Sequence, residues 1–357
     1  MAMFETNLTH RQNFILNIIN SSNGIGRTAI EKQVASLYPA SKPTIARDLA
    51  VLLKKKAVRV EGRSKSTLYL PLTINPLFRV FDLEQYFALD PDRRVTAKTT
   101  FDFSIFDSLK NLFSKEEIQA AEKINRRFSD TVNKLEPDIY RKELERFIIE
   151  LSWKSSKIEG NTYSLLETEV LIKQSIEAQG RSREEAIMIL NHKQAFETIL
   201  KNRSDFKTIT LSQITQLHNM MVKDLSISPG IREQAVGITG TTYKLLDNKW
   251  QIHEALEKLV LVLRQVQYPL EKTLIATAMI SYIQPFSDGN KRTGRMLANA
   301  ILLAHDYYPL SYRSIDEVAY KKAIILFFEQ QSLYHFKQVF IEQYRFALDA
   351  YFQVRNK

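Results

Sequence analysis

The densest chemistry in this 357-residue chain lies in Gln284-Pro-Phe-Ser-Asp-Gly-Asn-Lys-Arg-Thr-Gly-Arg295. The apolar stretch Leu274–Ile283 leads into it, and Pro285 prevents a helix from simply continuing through. Phe286 is an apolar plug that pins a short loop to the core. Gly289 and Asn290 suit unusual backbone angles, which let successive N–H groups converge on an anion. A helix starting near Lys291 aims its positive end at the same point. Arg292 and Arg295, three positions apart, share one side of that helix's first turns. Asp288 is the single carboxylate of the loop and faces an otherwise cationic pocket. An anion nest, a helix N-terminus, two arginines and one acid suit a polyphosphate with Mg2+. The alternative is a turn between core helices that carries two surface arginines.

The string also resembles the signature of the Fic (Fido) family, His-Pro-Phe-x-Asp/Glu-Gly-Asn-Gly/Lys-Arg-x-x-Arg. Every fixed position matches except the first, where Gln284 stands in place of His. The resemblance implies a helical Fic fold that binds ATP and transfers AMP to a Ser, Thr or Tyr hydroxyl of a target protein. By position it implies Asp288 for Mg2+ and Gly289, Asn290 and Lys291 for the α- and β-phosphates, with Gly294 in the same nucleotide-binding set. Arg292 then neutralises the β-phosphate and Arg295 the γ-phosphate, and Gln284, Asn290 and Arg292 form the catalytic set. The family's histidine is the general base, and a Gln amide has no titratable proton near neutral pH. Loss of a general base is worth about 10²–10⁴-fold, so AMP transfer is expected to be weak or absent while nucleotide binding persists. None of the six histidines lies in the loop. His218, in the amphipathic stretch Ile214–Met221, reads as a packed structural residue, with substitution for the missing base as the alternative.

Two further segments agree with that resemblance. A helix over about 138–160 ends Ser155-Ser-Lys-Ile-Glu159-Gly160, with Ser155 and Glu159 an i,i+4 pair on one face and Gly160 as its stop. It resembles the family's inhibitory motif, Ser/Thr-x-x-x-Glu-Gly/Asn, in which the glutamate pairs with the second motif arginine, here Arg295. Gly230-Ile-Arg232 leads into the Gly-bearing Val236–Tyr243, which reads as a β-hairpin, and the segment about 230–246 resembles the Fic flap, which holds a target segment by main-chain pairing.

The elements that position these motifs are mainly helical. With only 10 Gly and 10 Pro the chain is poor in turn-formers, and 44% apolar content is enough for a sizeable core. Zero Cys removes disulfides, thiolate metal sites and a cysteine nucleophile. No leader and no apolar run of about 20 residues is seen, so a cytoplasmic protein with no membrane contact is expected.

Charge is uneven along the chain. Residues 1–75 hold eleven Lys or Arg against four acids, a surplus of seven out of a net +10. There the apolar spacing predicts helices over 9–20, 28–37 and 41–56, followed by a hairpin over 58–60 and 67–70. Three helices and a basic hairpin resemble the winged helix-turn-helix fold. That resemblance implies DNA contacts from Lys42, Thr44 and Arg47 on the third helix and from Arg59, Arg63 and Lys65 on the wing. A purely protein-binding module is the alternative.

The expected organisation is a winged helix-turn-helix domain at 1–75, a Pro-bearing linker at 76–100 and a Fic region at 101–357. The tail 312–357 repeats Phe327, Phe328, Phe336, Phe340 and Tyr344 at helical spacing, as core packing or as a homodimer surface. Two functions stay open: a slow, auto-inhibited adenylyltransferase, and a catalytically silent nucleotide sensor that regulates DNA or partner binding.

Overall fold

Helices form here where apolar residues recur every three or four positions, and a computed structural model shows how they pack. It describes residues 8–352 apart from 21, 23, 36, 56, 73, 74, 133 and 134. The chain divides into two units: one is the chain up to Thr99 with Gly240–Thr242 and Ile325–His335, and the other is the remainder.

In the first unit, α1 (His10–Asn20), α2 (Arg27–Ala35) and α3 (Lys42–Lys54) enclose Ile15, Ile19, Ile30, Val34, Ile45, Leu49 and Leu52. Each such side chain, fully buried, is worth about 1.5–3 kcal/mol. Ser41 caps α3, its hydroxyl accepting from the Thr44 N–H at 3.4 Å, and Pro43 sits in the first turn. The strands β1 (Ile25–Gly26), β2 (Val58–Glu61) and β3 (Leu68–Pro71) form an antiparallel sheet in the order β1-β3-β2. Val60 lies opposite Tyr69, which on its other side faces Ile25. The two-residue β1 is too short to leave a period in the sequence.

Residues 76–99 group with this unit. They include the short helix α4 (Leu83–Phe87). Glu329, fully buried, accepts from Arg94 Nη2 at 2.9 Å, from the Tyr86 hydroxyl at 2.6 Å and from the Thr241 hydroxyl at 2.6 Å. Arg79 Nη2 donates to the Gln330 carbonyl at 2.7 Å. These partners lie far apart in the chain, so no local pattern announces them.

The second unit is built from helices. They are α5 (Ile105–Ser108), α6 (Lys115–Val132), α7 (Pro137–Ile158), α8 (Leu165–Gln174), α9 (Arg183–Lys201), α10 (Leu211–Met221), α11 (Lys249–Gln265), α12 (Pro269–Ile283), α13 (Asn290–Ala304), α14 (Glu317–Gln330) and α15 (Tyr334–Ala350). The last residues of α14, from Ile325, belong to the first unit.

The central pair is α12 and α13. Every residue of α12 from Leu270 to Ile283 is buried. Its polar members remain satisfied inside the core because the Thr273, Thr277 and Ser281 hydroxyls each donate to the carbonyl four residues back, at 2.8, 2.9 and 3.0 Å. A Cβ at Gly294 of α13 would lie 3.4 Å from the Thr277 carbonyl oxygen, so glycine permits the two helices to approach closely.

One expectation changes. Residues 236–243 form no hairpin; only an isolated bridge, Lys244 to Thr100, occurs nearby. The Gln234 and Leu246 carbonyls, which flank this segment, accept from the Arg232 side chain. The tail aromatics Phe327, Phe328, Phe336, Phe340 and Tyr344 are all buried, as the core-packing reading of the tail expects.

Candidate functional site

The 284–295 loop is shaped by two left-handed residues and one amide. Gln284 ends α12 at φ 48 and Gly289 precedes α13 at φ 78. Asn290, which the sequence assigns to the unusual backbone, is instead the first helical residue. Its side chain shapes the loop: Oδ1 accepts from the Phe286 N–H and Nδ2 donates to the Phe286 carbonyl, each at 2.9 Å. Phe286 is fully buried and stacks on the His218 ring at 3.7 Å with an 8° interplanar angle.

Cations and carboxylates meet over this loop. Arg292 is 2% exposed and Arg295 1%. Arg292 Nη2 donates to Asp288 Oδ2 at 3.2 Å, but its Nη1 is buried with no hydrogen-bond partner among the described residues. Arg295 is fully engaged by α7. Its Nη1 reaches Glu159 Oε1 at 2.9 Å, Nε reaches Ser155 Oγ at 2.9 Å, and Nη2 reaches the Ser155 carbonyl at 2.8 Å. The Tyr312 and Tyr320 rings lie 6.0 Å from its guanidinium carbon. Lys291 Nζ adds a 3.3 Å contact to Glu159 Oε2. Burial would raise the Glu159 pKa, but the charges of Arg295 and Lys291 outweigh it and hold the carboxyl at about 2. Gly160, φ 100, follows directly after α7 and its cap.

Behind Ser155 stands a histidine to which the sequence gives no role. His192 of α9 is fully buried, with Nε2 2.8 Å from Ser155 Oγ and Nδ1 2.8 Å from the Met188 carbonyl. A carbonyl only accepts, so Nδ1 carries the proton and Nε2 accepts from the Ser155 hydroxyl. Burial drives its pKa down to about 3. The link spans 37 residues of sequence, so spacing alone gives no signal for it.

Arg232 is the second residue whose role the sequence leaves blank. Its Nε donates to the Gln284 carbonyl at 2.7 Å, its N–H to the Pro285 carbonyl at 2.9 Å, and its Nη1 and Nη2 to the carbonyls of Gln234 and Leu246. It thereby ties the 230–246 strap to the start of the loop.

Other expected residues fall differently. The Gln284 amide is turned back on its own helix, Nε2 donating to the Ser281 carbonyl at 2.7 Å. Gly294 packs against α12 and not at the mouth of the loop. His218 is buried, its Nε2 3.0 Å from the Asp288 carbonyl, and burial lowers its pKa to about 4. In the first unit Lys42, Arg47, Arg59 and Arg63 are exposed. Thr44 Oγ1 is 2.9 Å from the Ser41 hydroxyl, and Arg59 pairs with Glu61. The Lys65 side chain lies outside the described residues. No described helix is long and apolar enough to cross a membrane.

Comparison with known proteins places this geometry. The sequence model of the Fic/DOC family matches residues 208–302, which span α10 to most of α13. A protein adenylyltransferase Fic of Culex quinquefasciatus is 28% identical over 191 residues, half of this chain and 37% of the relative. One from Aedes aegypti is 29% identical over 181 residues, 48% of this chain and 35% of the relative. The matches thus span little more than a third of the length of these relatives. Among solved structures, Fic-1 (134–508) from C. elegans covers 95% of this chain, and 97% of its own, at a TM-score of 0.53 and 15% identity. A Fic domain containing signaling protein from Bacteroides thetaiotaomicron covers 65% of this chain and 96% of its own at a TM-score of 0.53 and 19% identity. At such identities the likeness is one of fold: mainly helical and Fic-type.

Proposed function

We propose that the Fic/DOC-type domain of this chain binds ATP with a divalent cation at the 284–295 loop, as a protein adenylyltransferase that Glu159 holds shut and Gln284 slows. The observation that carries this reading is Arg292 Nη1, buried and without an acceptor among the described residues, beside the left-handed Gly289 and the start of α13. An unsatisfied buried donor costs about 1–3 kcal/mol, and a phosphate oxygen would relieve it. The relatives from Culex quinquefasciatus and Aedes aegypti, named protein adenylyltransferases, fit the same chemistry.

A divalent cation also fits. Asp288 is the loop's one carboxylate and its side chain is 68% exposed. No group of three His, Asp or Glu among the described residues would hold a metal alone. An ion such as Mg2+ would take Asp288 and draw its other oxygens from phosphates and water. When bound it would neutralise phosphate charge. The chain's own residues do the rest: Lys291 and Arg292 orient the phosphates, and Arg295 is positioned for the outermost one.

In AMP transfer the acceptor hydroxyl oxygen bonds to the α-phosphorus, the bond to the β-phosphate oxygen breaks, pyrophosphate leaves, and the hydroxyl proton passes to a base. Gln284 cannot take that proton, so it goes to solvent and the step slows. Glu159 competes with the γ-phosphate for Arg295.

The test is label incorporation from α-labelled ATP by Glu159→Gly protein with Gln284 kept. Labelled protein supports transfer without the histidine. No label, with ATP binding intact, leaves the second reading, a nucleotide sensor. The basic first unit favours that reading's partner: its three helices and small sheet suit a winged helix-turn-helix, with Lys42 and Arg47 of α3 exposed for a DNA groove.

A further inference from the structure

We infer that His218 is a positioning residue of the nucleotide site: its Nε2–H fixes the Asp288–Gly289 peptide so that the Gly289 N–H faces a phosphate oxygen. The inference rests on the ATP reading above. His218 is completely buried on α10, and its Nε2 lies 3.0 Å from the Asp288 carbonyl oxygen. A carbonyl oxygen only accepts, so Nε2 carries the proton. In a planar trans peptide the carbonyl and the following N–H point in opposite directions. With the Asp288 carbonyl held down against α10, the Gly289 N–H is turned to the opposite side.

The surrounding packing makes that orientation hard to lose. A Cβ at position 289 would come within 3.0 Å of Val222 Cγ1 and 3.6 Å of His218 Cδ2, so the loop sits directly on a floor made by these two residues. The Phe286 ring, stacked on His218, fixes the imidazole plane. Four other loop carbonyls are engaged in the same manner. Gln284 and Pro285 bond to Arg232, Phe286 bonds to Asn290, and Gly289 accepts from the Thr293 N–H at 2.9 Å. Each carbonyl so occupied is one partial negative charge fewer facing an incoming phosphate. His218 supplies this for the peptide that leads into Gly289, and neither Asn290 nor Arg232 does.

Calorimetric titration of the full chain with ATP and Mg2+ tests it, comparing wild type with His218→Phe, His218→Gln and Arg292→Ala. His218→Phe keeps an aromatic ring against Phe286 but loses the donor, and affinity should fall about tenfold or more. His218→Gln keeps an N–H at the same reach and should stay within about threefold of wild type. Equal affinity in His218→Phe and wild type overturns the inference while ATP binding stands, whereas a wild type that binds no ATP removes both readings. Should His218→Phe fail to fold, the wild type still decides. In protein labelled with 15N-glycine, saturating ATP should move the Gly289 amide proton downfield, and an unmoved Gly289 resonance overturns the assignment.

Discussion

Positive charge is handled differently in the two regions where it is concentrated. Around the 284–295 loop, Arg292 and Arg295 are almost wholly buried, and each guanidinium is bound by a carboxylate, Asp288 or Glu159. In the first unit Lys42, Arg47 and Arg63 stand exposed, and Arg59 pairs with Glu61 at the surface. Burying a cation costs several kcal/mol unless its geometry is excellent, so the loop arginines need the scaffold of α7, α12 and α13 to hold them. Exposed cations need no such support and are worth little to stability. A buried arrangement of this kind can sort ligands by shape and hydrogen bonding, an exposed one only by charge.

The sharpest way to break this contrast is at Gln284. Restoring the base in Glu159→Gly, Gln284→His protein should raise label incorporation from α-labelled ATP by about 10²–10⁴-fold over Glu159→Gly alone. No gain would mean that the loop does not position an acceptor hydroxyl, and the adenylyltransferase reading would fall. Substitutions of the exposed first-unit cations should leave this labelling unchanged.

The same contrast explains how much was legible. The loop could be read because its residues are contiguous: Pro285 after an apolar helix, glycine at 289 and arginines three apart put anion chemistry into one short string. The partner of Arg295 came from the resemblance to the inhibitory motif, because the one-turn spacing of Ser155 and Glu159 names no partner by itself. His192 and Arg232 were not, because each acts across tens of residues through carbonyls or a hydroxyl that leave no pattern. Residues 76–99 read as a linker for a similar reason, their bonds to Glu329 and Gln330 being very distant in sequence. The hairpin expected at 236–243 failed on a local signal: β-branched residues and glycines suit a strand, but a strand needs a partner, and the only bridge nearby among the described residues is Lys244 to Thr100.

Acid should act on the buried region first. His192 is held at about 3 in the folded chain, whereas an unfolded histidine titrates near ~6.5. The unfolded state therefore takes up the proton first. His192's contribution is complete above pH ~6.5 and shrinks by about 1.4 kcal/mol per pH unit as the pH falls below it. Glu159, held at about 2, behaves as a depressed carboxylate; its contribution is intact above pH ~4.5 and is lost only below that value. Between about pH 6.5 and 5 the clamp on Arg295 should hold while stability falls. Urea unfolding of wild type and His192→Gln over this range is the check: the variant's slope should be shallower by about one proton. Identical slopes would show that His192 is not the buried neutral base described.

The smallest effect belongs to the exposed charges. Arg47 lies on the solvent side of α3, while Ile45, Leu49 and Leu52 face the core. Arg47→Ala should shift stability by no more than about 0.5 kcal/mol in chemical denaturation. Its consequence should appear in binding to duplex DNA, where removing one cation from a phosphate lowers the slope of log K against log salt by about one. An unchanged slope would separate this region from DNA and leave its cations as a solvated face of a protein-binding module. A large drop in stability would instead mean that Arg47 is held as tightly as Arg295, and the distinction between the two regions would collapse.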